Sequence, residues 1–298
     1  MNTPNPPRIL CIGSVLWDII GRSASHMREG SDVPGRITRL PGGVAMNIAM
    51  TLARFGMKPA VLSAIGRDPE GDELVTACGH LGLITDYLYR SEDLPTDRYM
   101  AVEGANGLIA AIADAHSLEA AGDKILRPLV EGPLGTSAQP FVGPIALDGN
   151  LKLALLDDIA THPAFDGADL RVAPASPGKA ERLRPFLTHQ RGTLYVNLEE
   201  AGLLCQDRFT DSETAAHALL SRGAARVLVT DGGQSATETP ACHTYGTTYQ
   251  ENLRGMDRCH GSEWMHIATL TRGVQSVQVR SLPHTCSETR SSSTVQTR

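Results

Sequence analysis

The sequence predicts an α/β fold built around a mostly parallel sheet. From residue 145 to residue 230, short apolar runs alternate with segments of helical length, which is the pattern of successive βαβ units. Polar and glycine-rich motifs stand where several of these runs end. Ligands of parallel sheets bind beyond the carboxyl ends of the strands, so the motifs also indicate a binding site at that edge.

The elements follow from the spacing of apolar residues along the chain. Strands are predicted at residues 9–12, 60–65, 145–148, 170–173, 193–197 and 226–230, and helices at residues 45–55, 72–81, 152–161, 178–188 and 212–221. Residues 98–103 and 108–113 are predicted to form a hairpin, because Asn106-Gly107 between them is a strong turn signal. Residues 22–39 are interpreted as a polar connection.

Length and composition are ordinary for a soluble enzyme. The chain has 298 residues, of which 41% are hydrophobic and 20% charged, and a net charge of −6. This charge gives no reason to expect nucleic acid or an anionic membrane as a partner, and no apolar run approaches the ~20 residues that cross a bilayer. Residues 1–8 lack an apolar signal core. The cysteines form no C-x-x-C pair, and Cys11 and Cys205 lie in apolar runs as predicted core residues, so a cytoplasmic location is expected.

A glycine pair precedes the first predicted helix. Gly42 and Gly43 have no Cβ, so the backbone can pass close to a ligand there. The backbone N–H groups at a helix start have no partner within the helix, and Asn47 adds a side-chain amide one turn later. We therefore expect this loop to present free N–H groups and the Asn47 side chain to a ligand.

Asp18 follows the first predicted strand. A carboxylate at a strand end can accept two hydroxyl hydrogen bonds, which is what recognition of a sugar diol requires. The structural alternative is a helix or turn cap.

Two further motifs end the strands at residues 193–197 and 226–230. Asn197 and Glu200 stand three positions apart at a helix start, where a carboxylate near phosphates can organise a hydrated Mg²⁺. Thr230 is followed by Asp231 and Gly232, and a hydroxyl beside glycines suits close approach to a nucleotide phosphate. Both motifs also have a structural interpretation, as a helix N-terminal carboxylate and as a plain turn.

The spacing around the glycine pair resembles a family signature. Residues 42–49 read Gly-Gly-x-Ala-x-Asn-x-Ala, and Gly56 and Gly66 follow at the spacing of the first signature of the PfkB/ribokinase family of carbohydrate and nucleoside kinases. The resemblance implies a three-layer αβα ribokinase-like (Rossmann-like) fold over the whole chain. It also implies a small β lid made of segments 19–40 and 98–114.

The resemblance assigns the sugar to Asp18, Gly42, Gly43 and Asn47, the nucleotide to Asn197, Thr230 and Gly232, and Mg²⁺ to Glu200. The implied reaction is ATP-dependent phosphorylation of a hydroxyl on a sugar or nucleoside. ATP and Mg²⁺ are the implied cofactors, and a monovalent cation is a further candidate. Exposed lid strands could also pair between subunits, which makes a homodimer a candidate assembly.

The middle of the chain resembles the pseudouridine kinases within this family. Asp-Gly-Asn-Leu at 148–151, Pro-Ala-Ser-Pro-Gly-Lys-Ala at 174–180 and then Asn197 follow the order seen in that group. The group usually has Asp where this chain has Ala173. Lys179 is interpreted as a solvated helix residue. A pseudouridine or ribose-like acceptor is therefore the preferred expectation.

The Gly-Ala-Gly-Asp segment in which kinases of this family resemble one another most has no copy in the sequence. The nearest counterpart is Arg-Gly-Met-Asp at 254–257, which leaves Asp257 as the candidate base. Residues 239–298 also lose strand and helix periodicity and are interpreted as a divergent or frame-disrupted C-terminal region. A catalytically impaired homologue that binds a sugar or nucleoside is therefore the alternative. A dinucleotide-dependent oxidoreductase is disfavoured, because Gly13 lacks the companion glycines of G-x-G-x-x-G.

Overall fold

The computed structural model of the chain describes residues 7–239 and 279–281. Its strands are β1 (Leu10–Ile12), β2 (Leu16–Arg22), β3 (Arg36–Gly42), β4 (Ala60–Leu62), β5 (Ala64–Gly66), β6 (Tyr89–Ser91), β7 (Arg98–Gly104), β8 (Gly107–Asp114), β9 (Glu131–Gly132), β10 (Gly135–Thr136), β11 (Gly143–Asp148), β12 (Ala168–Ala173), β13 (Thr193–Asn197), β14 (Arg226–Thr230), β15 (Ala236–Thr239) and β16 (Val279–Ser281). Its α-helices are α1 (Val44–Arg54), α2 (Pro69–His80), α3 (His116–Ala121), α4 (Arg127–Val130), α5 (Leu153–Thr161), α6 (Arg184–Thr188), α7 (Leu198–Cys205) and α8 (Ser212–Ser221), and 3₁₀ helices cover Gly122–Leu126, Pro163–Phe165 and Pro177–Leu183.

The central sheet has eight strands in the order β16-β15-β14-β13-β12-β11-β1-β4. Its neighbouring strands pair in parallel, apart from the antiparallel pair of β14 and β15. Leu10 of β1 lies opposite Ile145 of β11 on one side and Ala60 of β4 on the other. The prediction of a mostly parallel α/β sheet is confirmed.

Buried side chains form one core on each face of this sheet. Leu10 and Ile12 belong to the core that includes residues of α5, α7 and α8, whereas Ile9 and Cys11 belong to the core that includes residues of α1 and α2. This alternation follows from the two-residue period of a strand. Helices therefore cover both faces, and the predicted three-layer αβα fold is confirmed.

A second sheet stands beside the central one, with the order β3-β2-β7-β8. The predicted hairpin is present as β7 and β8, closed at Gly104 and Gly107. Strands β2 and β7 pair in parallel, although 75 residues lie between Arg22 at the end of β2 and Arg98 at the start of β7. The predicted lid segment 98–114 lies almost entirely within this small sheet, whereas segment 19–40 contributes parts of β2 and β3 and the connection between them at residues 23–35.

Trp17 fixes the base of the small sheet on α2. The indole Nε1 donates a hydrogen bond to the Glu70 carbonyl oxygen at 3.0 Å, and the ring is buried in the core. The Arg39 guanidinium lies 4.2 Å from the Trp17 ring centroid and forms an ion pair with Glu73 of α2. Packing and charge therefore hold this end of the sheet in place.

Three predicted elements are wrong in extent. The run at 60–65 is two strands, because the chain leaves the central sheet at Ser63, and β5 pairs with β6 instead. The helix predicted at 178–188 is a 3₁₀ helix followed by the short α6, since Pro185 has no N–H to continue the helical ladder. The polar connection at 22–39 contains the first half of β3.

The cysteines of the described residues are buried free thiols, at Cys11, Cys78 and Cys205. The prediction that Cys11 and Cys205 are core residues is confirmed. Among the described residues, we found no helix with the length and apolar character that crossing a bilayer would need.

Candidate functional site

Asp18 lies inside strand β2 of the small sheet. It stands opposite Leu40 of β3 and Tyr99 of β7. The prediction that Asp18 ends a strand of the central sheet is therefore wrong. The chain turns at Gly13 after β1, and β2 begins already at Leu16. Residues 13–18 therefore run from the end of β1 into β2.

The glycine pair makes room for two oxygen-bearing groups. A Cβ at Gly42 would overlap the Asp18 carboxyl group, and a Cβ at Gly43 would overlap the Ser14 carbonyl group. Gly43 also has a φ of 96°, in the region that favours glycine. The sequence predicted that a ligand would approach this loop closely. In the structure, the groups that lie closest to the two glycines are the Asp18 carboxyl group and the Ser14 carbonyl group.

The N–H groups in the first turn of α1 already have protein acceptors. The Val44 N–H donates to Ser14 Oγ at 2.8 Å, the Ala45 N–H to Asp148 Oδ2 at 3.0 Å and the Met46 N–H to the Ser14 carbonyl oxygen at 3.2 Å. The expectation that this helix start presents free N–H groups to a ligand is therefore wrong for these three. Ser14, which follows β1, and Asp148, which ends β11, occupy the position that an external anion would take.

Asn47 is joined to the same loop. Its backbone N–H donates to the Gly43 carbonyl oxygen at 2.8 Å, as the first turn of α1 requires, and Asn47 lines a cleft. Because the Asp18 carboxyl group lies against Gly42, Asp18 and the helix turn that carries Asn47 adjoin the same short loop.

Asn197 and Thr230 also lie side by side, since they are register partners at the ends of β13 and β14. The Asn197 side chain accepts a hydrogen bond from the Glu200 N–H at 2.8 Å, and Glu200 Oε2 accepts one from the Asn197 N–H at 2.9 Å. The pair is a capping box for α7, which satisfies two backbone donors. The structural interpretation of this motif is therefore present, and its metal and nucleotide roles stay predictions.

Gly232 shapes the turn after β14. Its φ is 52°, and the turn is closed by a hydrogen bond of 2.7 Å from the Gln234 N–H to the Asp231 carbonyl oxygen. The turn leaves Thr230, Asp231 and Gly232 on the wall of the cleft.

A cleft of about 1300 Å³ lies between the start of α1 and the ends of β13 and β14. Val44 and Asn47 line it together with Asn197, Thr230 and Gly232. Its described lining carries the carboxyl groups of Glu181, Glu199, Glu200, Asp207 and Asp231 and the guanidinium of Arg208. A polyanion bound here would need a cation between it and these carboxylates, which suits a hydrated Mg²⁺ held by one or two of them.

Tyr195 contributes a phenol to the cleft lining. Its hydroxyl accepts a hydrogen bond of 2.7 Å from Arg171 Nη1. Burial raises the pKa of Tyr195 to about 12, so the phenol keeps its proton near neutral pH and does not supply a base.

Asp148, at the end of β11, and Lys179 are more buried and have more hydrogen-bond partners than the sequence pattern indicates. Asp148 is wholly buried, and Lys179 Nζ donates to Asn150 Oδ1 at 2.5 Å. The interpretation of Lys179 as a solvated helix residue is therefore wrong. Burial, followed by the neighbouring Arg182, lowers the pKa of Lys179. The strand-end position of Asp148 is a signal that could have placed it beside the other motifs.

Asp257 lies outside the described residues, as does most of the predicted C-terminal region. Within the part of the chain that the structure describes, no group of three or more His, Cys, Asp or Glu side chains could hold a metal ion by itself. A metal in the described part of the cleft would therefore need ligands in addition to these side chains.

Residues 6–237 match the pfkB family of carbohydrate kinases. The chain belongs to this family. The match covers the small sheet, the described lining of the cleft and most of the central sheet, which agrees with the ribokinase-like fold.

A pseudouridine kinase from Escherichia coli (strain K12) is 30% identical over 197 residues, which are 66% of this chain and 60% of the relative. The chain spans about three-fifths of the length of the curated relatives it matches.

Solved structures show the same fold. A carbohydrate kinase from Agrobacterium tumefaciens superposes with a TM-score of 0.64 at 23% identity, covering 78% of this chain and 72% of that one. An Arabidopsis thaliana ribokinase complexed with ribose and ATP superposes with a TM-score of 0.58 at 16% identity, covering 80% of this chain and 77% of that one.

Proposed function

We propose that this chain is an ATP-dependent kinase that phosphorylates a hydroxyl group of a sugar or nucleoside. The observation that supports the proposal is that Asp18 lies against Gly42 at the start of the helix that carries Asn47, and that Asn47 lines a cleft together with Asn197 and Thr230. A carboxylate and an amide offer the acceptors and donors that neighbouring hydroxyls need. Membership of a carbohydrate kinase family supports the same conclusion.

The opposite part of the cleft would take the nucleotide. Asn197, Thr230 and Gly232 would contact the phosphates, and Glu200 would hold Mg²⁺ through its hydration shell. When bound, Mg²⁺ supplies charge neutralisation for the transferring phosphoryl group. Asp257 is the candidate base that would take the proton of the attacking hydroxyl.

A pseudouridine or ribose-like acceptor is the preferred substrate. The support is the sequence order from Asp148 through Lys179 to Glu200, together with the identity to a protein named pseudouridine kinase. Ala173 departs from the pattern of that group. A cytoplasmic location is supported by the buried free thiols, which are typical of reducing compartments.

Release of ADP from ATP and Mg²⁺ in the presence of single acceptors tests the proposal. We expect pseudouridine or ribose to stimulate ADP release over a reaction without acceptor, and chelation of Mg²⁺ to abolish it. An Asp257→Asn variant should lose turnover and keep acceptor binding. Absence of stimulation by any sugar or nucleoside of a broad panel would contradict a kinase activity.

The missing Gly-Ala-Gly-Asp segment favours a second candidate, a homologue that binds a sugar or nucleoside without phosphoryl transfer. Loss of one oxyanion-type donor lowers rates by about 10²- to 10³-fold, and this chain lacks the whole segment. Calorimetry distinguishes the candidates. Acceptor binding without ADP formation, unchanged by Asp257→Asn, would select the second.

A homodimer through the small sheet is a further proposal. Ile37, Met100 and Ile112 share one face of this sheet by register and are 77%, 47% and 64% exposed. The strand β8 is exposed along its whole length. An apolar face beside an open edge is the kind of surface that a second copy of the chain would cover.

Ile112→Lys should therefore shift the protein towards the monomer, because it places a charge on that face at the edge strand β8. Light scattering during gel filtration measures the mass. Leu153→Lys on α5 is the matched control, since Leu153 is 50% exposed and lies on another element. A mass that is the same for the wild type and both variants would contradict the proposal.

A further inference from the structure

Asp148 is the most completely buried carboxyl group of the site, with an exposure of 0%. Its Oδ2 accepts hydrogen bonds from the Ser14 N–H at 2.7 Å, from Ser14 Oγ at 2.8 Å and from the Ala45 N–H at 3.0 Å. Its Oδ1 accepts one from the Asn150 N–H at 2.7 Å. Donors alone surround this group, which is the environment of a carboxylate.

The surroundings are built to admit this carboxylate. A Cβ at Gly13 would overlap the Asp148 carboxyl group, so the absence of a side chain at the end of β1 creates its space. The donors come from the end of β1, the first turn of α1 and the loop after β11. Asp148 therefore accepts hydrogen bonds from three separate segments of the chain.

Ser14 connects Asp148 to the glycine loop through hydrogen bonds. The single hydroxyl proton of Ser14 is donated to Asp148, so its lone pairs accept from the Val44 N–H at 2.8 Å and from Asn150 Nδ2 at 2.8 Å. The direction of these bonds is set by the carboxylate, because it can only accept. Two of the first N–H groups of α1 thus depend on Asp148, one directly and one through Ser14.

We propose that Asp148 is the positioning residue of the Gly42–Ala45 loop, and that through Ser14 it sets the place of Asn47 relative to Asp18. The proposal rests on the proposed function in taking that loop as the sugar site. Asp148 itself is enclosed and does not touch the sugar. An asparagine at position 148 offers one acceptor oxygen in place of two, so it leaves donors of the loop without a partner.

Asp148→Asn and Ser14→Ala test the proposal, with Ser212→Ala as the matched control. Ser212 is likewise buried, and its hydroxyl is hydrogen-bonded to the Ser235 carbonyl oxygen and the Thr237 hydroxyl, away from the glycine loop. Below the melting transition, we expect the dissociation constant for ribose or pseudouridine to rise about 10- to 100-fold in both site variants. The dissociation constant for ATP should stay within about twofold, and the control should leave both constants unchanged.

Hydrogen exchange of single amides gives a readout that needs no substrate. Exchange at Val44 and Ala45 should accelerate at least about tenfold in Asp148→Asn, while α8 keeps its protection. If the wild type binds no ribosyl compound, the proposed function fails, and the exchange result alone decides the positioning role. Unchanged exchange at these amides, or equal weakening of sugar and ATP binding in all three variants, overturns the inference. Ser14→Ala removes one hydroxyl only and carries the test if Asp148→Asn does not fold.

Discussion

Asp18→Ala is expected to lower kcat/KM for the acceptor by about 100-fold or more while the KM for ATP stays the same. A carboxylate that accepts from two sugar hydroxyls makes two charge-assisted hydrogen bonds, each worth about 1.5–3 kcal/mol. Both disappear in alanine, and every 1.4 kcal/mol is about tenfold in affinity. Initial-rate kinetics with either substrate varied, and calorimetry of acceptor binding, measure the effect.

Glu103→Gln is the control for charge on the same sheet. Glu103 lies on β7 and forms an exposed ion pair of 2.6 Å with Arg22. Such pairs contribute about 0–1 kcal/mol, so this variant should keep its acceptor kinetics. Acceptor affinity that survives Asp18→Ala within about threefold would place the sugar site elsewhere and remove the main support of the proposed function.

Gly43→Ala is expected to destabilise the fold by about 3 kcal/mol or more. Alanine is strained at a φ of 96°, and its Cβ would overlap the Ser14 carbonyl group, which is backbone and cannot yield. Gly56→Ala is the matched control, because Gly56 has a φ of 80° with open space where a Cβ would stand. Gly56→Ala introduces the backbone strain at positive φ without a steric overlap, so it should lower the free energy of unfolding by about 1–2 kcal/mol. Denaturant unfolding compares the two variants.

Gly42→Ala separates binding from stability at the neighbouring position. The new Cβ would meet the Asp18 carboxyl group, which belongs to a side chain and not to the backbone, so the carboxyl group must move to make room. We expect a smaller loss of stability than for Gly43→Ala and an acceptor affinity about as low as in Asp18→Ala. In the double variant the two losses should not add, because both act on the same carboxylate. Additive losses would mean that Gly42 and Asp18 act independently.

Local patterns predicted where several of the motifs lie in the fold. The glycine pair, Asn47 and the pair of Asn197 and Glu200 depend on neighbours within one helical turn, so their arrangement at helix starts could be derived from spacing. Asn197 and Thr230 were each predicted at the end of a strand, and the register of β13 and β14 shows that the two residues are partners. The predictions that failed concern Asp18, the first turn of α1 and Lys179, each of which depends on distant partners.

The α/β alternation, the glycine loop and the pair of Asn197 and Glu200 at the start of α7 can be derived from local sequence. Apolar periodicity selects strands and helices locally, and a helix terminus is satisfied by residues a few positions away. The contact of Asp148 with the first turn of α1 and the position of Asp18 on the small sheet depend instead on how distant segments pack together. The hydrogen bonds of Asp148 to Ser14 and Ala45 join residues 134 and 103 positions apart, and packing of the whole chain, rather than spacing, brings such groups together.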